Sequence, residues 1–368
     1  MIVNPNAFPG TLETMPPTNG LSILSTEELE RGDRIFAPAC KVCVASETEL
    51  DRLIPRLQGQ RPSVIATLKE KYAFRQLLSA AYPDLEFRRL KLEHLPKEVL
   101  SADRRYVLKP LRGCFGTGVR IVTADTDLAG IVADVQREMS RVNPSLSEIV
   151  LTHQDFLIET FIEGEEYAID MFYDSGGQPV ITGIYHHPMP RNDAYLHMLY
   201  YSSRSVFEKL YEPAMRFFAF LNLLLGVSRF PIHGEFRLAH GQLVPIELNP
   251  LRFGGMGLGN LGYYAFGLNA YQCLIDEEQP DWARIWRDRS DSAYGFFIAY
   301  NGARTNLITH EPDWTSLRRL FSEILLEVPF DYRVQPAFGI LYVAEKTARV
   351  FDLLDTEFDD YFVPVHSA

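Results

Sequence analysis

The stretch 233–255, HGEFRLAHGQLVPIELNPLRFGG, constrains the fold more than any other part of the chain. Charged and apolar residues alternate through it with the two-residue period of a β-strand. A short turn centred on Gly241, a residue that adopts positive φ at no steric cost, would fold it into a hairpin. That centre sets Glu235 directly opposite Glu247. It sends Glu235, Arg237, Glu247 and Asn249 to one face, and Phe236, Leu238, Val244, Ile246 and Leu248 to the other. Two carboxylates facing each other across a ladder, with Cβ atoms about 4.5–5.5 Å apart, are destabilising unless positive charge lies between them. An arginine can supply that charge, and so can a divalent cation, for which two carboxylates and an amide oxygen form the hard donor set Mg²⁺ prefers. A solvated polar face on an amphipathic hairpin fits this segment equally well, so the rest of the chain has to decide.

At 368 residues, with 46% apolar and 23% charged residues, the chain can bury a core shared by two or three subdomains. A net charge of −12 without any basic block argues against a general nucleic-acid binder, while leaving room for a nucleotide in a local basic pocket. No run approaches the roughly 18 apolar residues of a membrane span. The start, MIVNPNAFPG, lacks the basic and apolar regions of a signal peptide, so a cytoplasmic protein without membrane partners is expected. Of the four cysteines, Cys40 and Cys43 form a CxxC with no second pair at metal spacing, and they read as reduced structural thiols.

Residues 1 to about 20 are rich in Pro, Gly and Thr and read as extended. RIFAPACKVCVASE gives one or two strands, and ETELDRLIPRLQ and PSVIATLKEKYAFRQLLSAAY give helices, together a short α/β opening. From about 86 to 190 the pattern is mainly β, with DSGGQ as a hairpin turn and DTDLAGIVADVQREMSRV as a helix. A long helix, SVFEKLYEPAMRFFAFLNLLLG, leads into the hairpin. The tail from about 280 adds strands such as YGFFIAYN and FGILYVAEKT, expected to elaborate the main body.

Two upstream segments complement the hairpin. YVLKPLRGCFGTGVRIV is a strand, a glycine-rich loop and a second strand. Gly113 and Gly118 have GxxxxG spacing, but Val-Arg follows where a Walker A loop needs Lys-Ser/Thr, and no GxGxxG opens a helix. Such a loop can still close over phosphates with its backbone N–H groups while Lys109 supplies a point charge. In IETFIEGEEYAID, Glu159, Phe161 and Ile162 precede Gly164 and Glu166, a segment able to hold an adenine by backbone and apolar contacts with a carboxylate on the ribose. Taken singly, each also reads as an ordinary loop between strands.

The order of parts is more specific: Lys71 in a helix, Lys109 before a glycine loop, E-x-F-I-x-G-x-E, then E-x(11)-E-x-N. Over roughly residues 60 to 275 this resembles the ATP-grasp superfamily, specifically its carboxylate-amine ligases. The resemblance implies an α+β chain with the ATP-grasp fold, in which two α+β subdomains grip ATP. A short N-terminal α/β subdomain over 1–70 would precede an ATP-grasp domain over 71–280, divided into a lid and hinge unit (104–190) and a metal-binding unit (191–280). A β-rich extension over 281–368 would follow.

Carried over to this chain, the resemblance puts Lys71 and Lys109 on the ATP phosphates and adenine pocket, with Lys69 in nearly the same context as Lys71. It makes Gly113, Gly116, Thr117 and Gly118 the phosphate lid, Glu159, Phe161 and Ile162 the adenine hinge, and Glu166 the ribose contact. Glu235, Glu247 and Asn249 would hold two magnesium ions, replaceable by manganese. Arg237 is expected to stabilise the transferring phosphoryl group and Arg252 to bind the substrate carboxylate. Leu251 interrupts the N-P-R-x-G-G frequent in the family, which displaces Arg252 by one residue. MGLGNLGYYAFGLN is expected to line the acceptor side, together with HHPMPRNDAYLHMLYYSS and its His186, His187 and Arg191, the two histidines reading as polar loop residues rather than catalytic bases. The implied function is ATP-dependent ligation of a small carboxylate, such as an amino acid, to an amine through an acyl phosphate, with a homodimer as a possible assembly. Addition of a residue to a peptide tail and a nucleotide-binding module without turnover are the alternatives. A biotin-dependent carboxylase ranks lower, because no biotinyl-carrier segment is present.

Overall fold

The computed structural model describes residues 2–3, 22–113, 116–141, 151–189 and 197–365. The N-terminal stretch read as extended, apart from Ile2–Val3, lies outside them, as does Arg191. The fold is α+β. Its largest element is an antiparallel sheet of eight strands, in the order Gln242–Pro250, Phe230–Ala239, Glu165–Tyr173, Pro179–His187, Leu199–Ser203, Ser292–Tyr300, Ala337–Lys346 and Glu323–Pro329. The tail strands expected to elaborate the body therefore extend its central sheet. The segment 165–187, grouped from sequence with the lid, pairs into the same sheet through Glu166↔Arg237 and Glu166↔His187.

A second, four-stranded sheet runs Phe87–Lys91, Asp155–Thr160, Tyr106–Pro110 and Arg120–Val122. The helix Leu128–Met139 covers it through Val135 and Met139, which share a small core with Leu108, Phe156 and Ile158. In the main core the long helix Arg204–Leu225 packs Phe207, Leu210, Phe218 and Leu221 with residues of the central sheet. Ser203 caps its first turn and Gly226, at φ 62°, ends it in the left-handed conformation. Among the described residues no helix is long and apolar enough to cross a membrane.

Two local features set the site. The single helix expected over 62–82 is two helices, Arg61–Lys69 and Lys71–Leu78, broken at Glu70, whose extended backbone (φ −98°, ψ 108°) lets its carboxylate accept from Ala73 N–H. The hairpin pairs Glu235 with Glu247 and His233 with Asn249, as its alternation requires. Beyond that point a bulge intervenes, so that Phe236 faces Pro245 and Arg237 faces Val244. Val244 therefore leaves the apolar face on which alternation alone puts it. The cause is Pro245, which has no N–H for the ladder and sits in an edge strand where a bulge is tolerated.

Candidate active site

The broken helix points two lysines at one strand. Lys71 Nζ lies 2.9 Å from Glu247 Oε2, while Lys69 Nζ donates to Asn249 Oδ1 (3.1 Å) and Glu47 Oε2 (2.6 Å). The sequence left one lysine to be chosen; both enter the site because Glu70 resets the helix between them. Asn249 Nδ2 in turn donates to Glu247 Oε1 (3.1 Å). Burial would raise the Glu247 carboxyl, but Lys71 and Lys69 hold it far below the usual range, and Lys71 is correspondingly raised by Glu247 against its own burial. Glu247 is thus an anion neutralised by a lysine ammonium.

Glu235 has a different partner. His233, two residues earlier on the same strand face, donates through Nδ1 to the fully buried Asp170 (2.7 Å) and turns Nε2 toward Glu235 Oε1 (3.8 Å). Tyr185 OH donates to the other Asp170 oxygen (3.3 Å). Burial alone would lower the imidazole, yet Asp170, with Glu235, pushes it up to about 9. Among the described residues no three His, Cys, Asp or Glu side chains converge as a metal cage. The candidate set is two carboxylates in register and one amide oxygen, each already matched to a positive group, which is the donor chemistry that suits Mg²⁺.

At the other end of the hairpin the acids are locked. Glu159 takes both Nε and Nη2 of Arg75 and also Lys109 Nζ, at 2.5 Å. Arg75 further donates Nη1 to Pro245 O (2.6 Å) and Nη2 to Ile246 O (3.3 Å), the carbonyls that the hairpin bulge turns toward it. Burial would raise Glu159, but Arg75 and then Lys109 bring it down to about 2. Lys109 is lowered to about 8, because burial and the neighbouring Arg75 and Lys71 outweigh its attraction to Glu159. One anion shared by two cations satisfies the anion fully and leaves one cation in surplus.

Glu166 accepts from His187 Nδ1 (3.0 Å) and from Arg237 Nη2 (3.1 Å). Arg237 is engaged by the hinge: it donates Nη1 to Ile162 O (3.2 Å), and its guanidinium lies 4.8 Å from the Phe161 ring centre, with Arg105 at 4.2 Å from the same ring. Gly164 must be glycine here. At φ 111°, a Cβ would fall 2.2 Å from Leu238 O, so the hinge packs directly on the hairpin backbone. His186 and His187, expected in a loop, close the strand Pro179–His187, and alternation separates them. His187 stacks on Tyr200 (4.2 Å) on the Glu166 side, whereas His186 stacks on Tyr167 (4.7 Å), bonds Tyr201 OH (3.1 Å) and is lowered to about 4 by burial.

The described part of the glycine loop joins Tyr106–Pro110 to Arg120–Val122. Gly116 and Gly118 both have positive φ, and Gly118 N–H donates to Glu138 Oε1 (3.1 Å). Burial would lower Arg252, but Glu47, and beyond it Glu235 and Glu247, raise it. Its Nε and Nη2 both donate to Glu47 Oε1 (2.9 and 2.6 Å), and Nη1 donates to Phe253 O (3.1 Å). Its aim follows from Leu251, which adopts φ 60° and is fully buried. Leu251 N–H donates to Pro231 O (2.8 Å), and its carbonyl accepts from Val44 N–H (2.7 Å). The extra residue is a backbone kink that docks the strand Cys43–Val44, and with it Glu47, beside Arg252. Cys43 is buried in that strand, its thiol pushed up to about 12 by burial, in keeping with a structural role.

Glu47, Arg75, Asp170 and His233 were missed in the sequence. Arg75 could have been found one helical turn after Lys71, and His233 by its place on the face of Glu235. Glu47 and Asp170 carry no local signal.

The family model of the ATP-grasp domain matches residues 103–260. Comparison with proteins of curated function returns no match. Among solved structures, an L-amino acid ligase from Bacillus licheniformis is 19% identical, with TM-score 0.64 over 88% of this chain and 81% of its own. An N5-carboxyaminoimidazole ribonucleotide synthetase from Thermotoga maritima is 12% identical, with TM-score 0.58 over 96% and 91%. The biotin carboxylase domain of 2-oxoglutarate carboxylase from Hydrogenobacter thermophilus, solved with MgADP, ADP and bicarbonate, is 15% identical, with TM-score 0.52 over 83% and 68%. The match to the ATP-grasp domain over residues 103–260 and the fold shared with these solved structures give the chain the ATP-grasp fold.

Proposed function

We propose that the chain is an ATP- and Mg²⁺-dependent carboxylate-amine ligase that joins an amino acid or related small carboxylate to an amine. The observation that carries this reading is the pairing of Glu235 with Glu247 beside Asn249, with Lys71 and Lys69 in contact with the same residues. Metal-ligand chemistry and phosphate-binding charge meet there on one strand face. Glu235, Glu247 and Asn249 would hold magnesium, which supplies Lewis-acid neutralisation of phosphate charge when bound.

In this reading Lys71 and Lys109 leave Glu247 and Glu159 for phosphate oxygens, so one ion pair replaces another without stranding a buried charge. Gly113, Gly116, Thr117 and Gly118 cover the phosphates and exclude water. The hinge Glu159, Phe161 and Ile162 receives the adenine, and Glu166 the ribose hydroxyls. We assign Arg237 to fixing that hinge rather than to the reacting phosphoryl group. In the first step a substrate carboxylate oxygen bonds to the γ-phosphorus as the bond to the β-bridging oxygen breaks, releasing ADP. The amine then attacks the acyl carbon, phosphate departs, and the nitrogen loses a proton. Both steps gather negative charge on oxygen, so orientation and electrostatics carry most of the catalysis.

The test is release of ADP and phosphate across a matrix of carboxylates and amines with MgATP, Glu247→Gln serving as control. A condensed product at the expected mass supports the ligase. No pair exceeding the control would remove the reading.

A further inference from the structure

Arg252 is the residue expected to bind a substrate carboxylate, and a carboxylate is already on it. Glu47 Oε1 takes two donors of Arg252 and Oε2 takes Lys69, so a single acid from the N-terminal segment bridges both cations. Burial would raise Glu47, yet the two cations bring it down to about 2, and it stands there as an anion. The socket lies at the reacting end of the site, since Lys69 also holds Asn249 and Arg252 feels Glu235 and Glu247.

The pair is a product of local architecture. Val44 is tied to Leu251, Glu47 follows Val44 by three residues, and Arg252 follows Leu251 directly, so one backbone contact presents both partners. Ser46 caps the turn that begins at Glu47 and fixes its direction. The contact is also less closed than a structural pair elsewhere in the molecule. Arg75 meets Glu159 with two donors on two oxygens at 3% and 2% side-chain exposure, whereas Arg252 sets two donors on one oxygen of Glu47 at 11% and 13%.

We propose that Glu47 is an internal stand-in for the substrate acid, and that a substrate carboxylate enters by taking Arg252 while Glu47 stays with Lys69. Displacing a buried carboxylate from its only cation would strand a charge; displacing it from one of two does not. Glu47 thereby sets the threshold for entry: a carboxylate must outcompete it for the guanidinium, and a neutral amide or ester cannot. The identity of the incoming acid rests on the ligase reading, but the socket itself can be tested without turnover.

The experiment is rescue of thermal stability by acetate. Glu47→Gln is nearly isosteric and leaves Arg252 and Lys69 without the anion bonded to both. Its melting temperature is expected to fall and to be restored by acetate or L-alanine, but not by acetamide, L-alaninamide or chloride at equal ionic strength. Wild type should respond weakly over the same range, and Glu47→Asp, with its carboxylate drawn back by one methylene, should lie between them and serve alone if Glu47→Gln does not fold. Calorimetry should give acetate a roughly tenfold lower Kd for Glu47→Gln than for wild type, the worth of about one charge-assisted hydrogen bond. Equal responses to acetate in wild type and both variants overturn the proposal. So does a selective loss of methylammonium binding in Glu47→Gln, which would make Glu47 the seat of an ammonium group. Rescue with no ADP release from wild type in the substrate matrix would retain the socket and discard the ligase; the reverse result would do the opposite.

Discussion

The two ends of the candidate site use the same charges in opposite ways. Around Glu159, the carboxylate is sealed with Arg75 and Lys109 at 2%, 3% and 5% side-chain exposure, and Arg75 reaches from its helix to the four-stranded sheet and to the bulged carbonyls of the hairpin. At the metal end Lys71 and Glu247 form a single contact at 10% and 20% exposure, and Glu235 faces an imidazole rather than a guanidinium. A buried, multiply bonded pair resists exchange because breaking it strands charge, whereas a partly wetted single contact can trade partners. The Arg75–Glu159 pair joins the two sheets and resists exchange, whereas Lys109, surplus to that pair, and the Lys71–Glu247 contact can trade partners.

If that division is right, the largest loss of activity comes from the metal end with little loss of fold. Glu247→Gln keeps the shape and the hydrogen bond to Asn249 but removes a ligand charge, and kcat is expected to fall by about 10²–10³-fold or more. ADP release under saturating MgATP reads the effect, with circular dichroism confirming the fold. Activity within tenfold of wild type would mean that the hairpin carboxylates are not the metal ligands.

The converse holds at the hinge. Arg75→Ala leaves Glu159 with Lys109 and removes the Arg75 bonds to two hairpin carbonyls, and is expected to cost about 3–5 kcal/mol of stability. Lys71→Ala, at the looser end, should cost about 1–2 kcal/mol. Urea denaturation of both variants decides; equal losses would erase the distinction between the two ends.

Acid offers a third way to separate them. The Glu159 carboxyl falls from 4.5 to about 2 on folding, so its pairing contributes fully above pH 4.5 and is lost as the pH drops through about 2. The contribution is of order 3 kcal/mol. The gap in urea midpoint between wild type and Glu159→Gln should accordingly narrow from pH 5 toward pH 2.5. A constant gap would show that packing of the glutamate, rather than its charge, holds the sheets together.

These same residues show which parts of the molecule could be read from the chain. The register of Glu235 on Glu247 was legible because period-two alternation and the glycine turn are local, and a one-residue slip would have buried the acids. The bulge was not, since the effect of Pro245 depends on its strand lying at the sheet edge, a fact of pairing order. The C-terminal strands were recognisable as strands, but neighbour order in an eight-stranded antiparallel sheet is chosen by distant partners. Glu47 reaches Arg252 across 205 residues through the kink at Leu251, and no spacing rule encodes that contact. The insertion that displaces Arg252 by one residue is thus the feature that sets its aim.

The smallest effect sharpens the comparison within the hinge itself. Phe161 lies between two guanidinium groups, but Arg105 is half exposed, as is its carboxylate partner Glu163, whereas Arg237 is mostly buried and bonded to the buried Glu166. A cation over an exposed ring face contributes about 0.5–1 kcal/mol, and an exposed ion pair adds little. Arg105→Ala should therefore destabilise by no more than about 1 kcal/mol and change the KM for ATP by less than about threefold, the ion-pair part vanishing in high salt. Arg237→Ala removes a partner of Glu166 and a donor to the Ile162 carbonyl, so it should raise the KM for ATP more than it lowers kcat. A fall in kcat with KM unchanged would instead return Arg237 to the reacting phosphoryl group and make the hinge a shared boundary rather than a separate part.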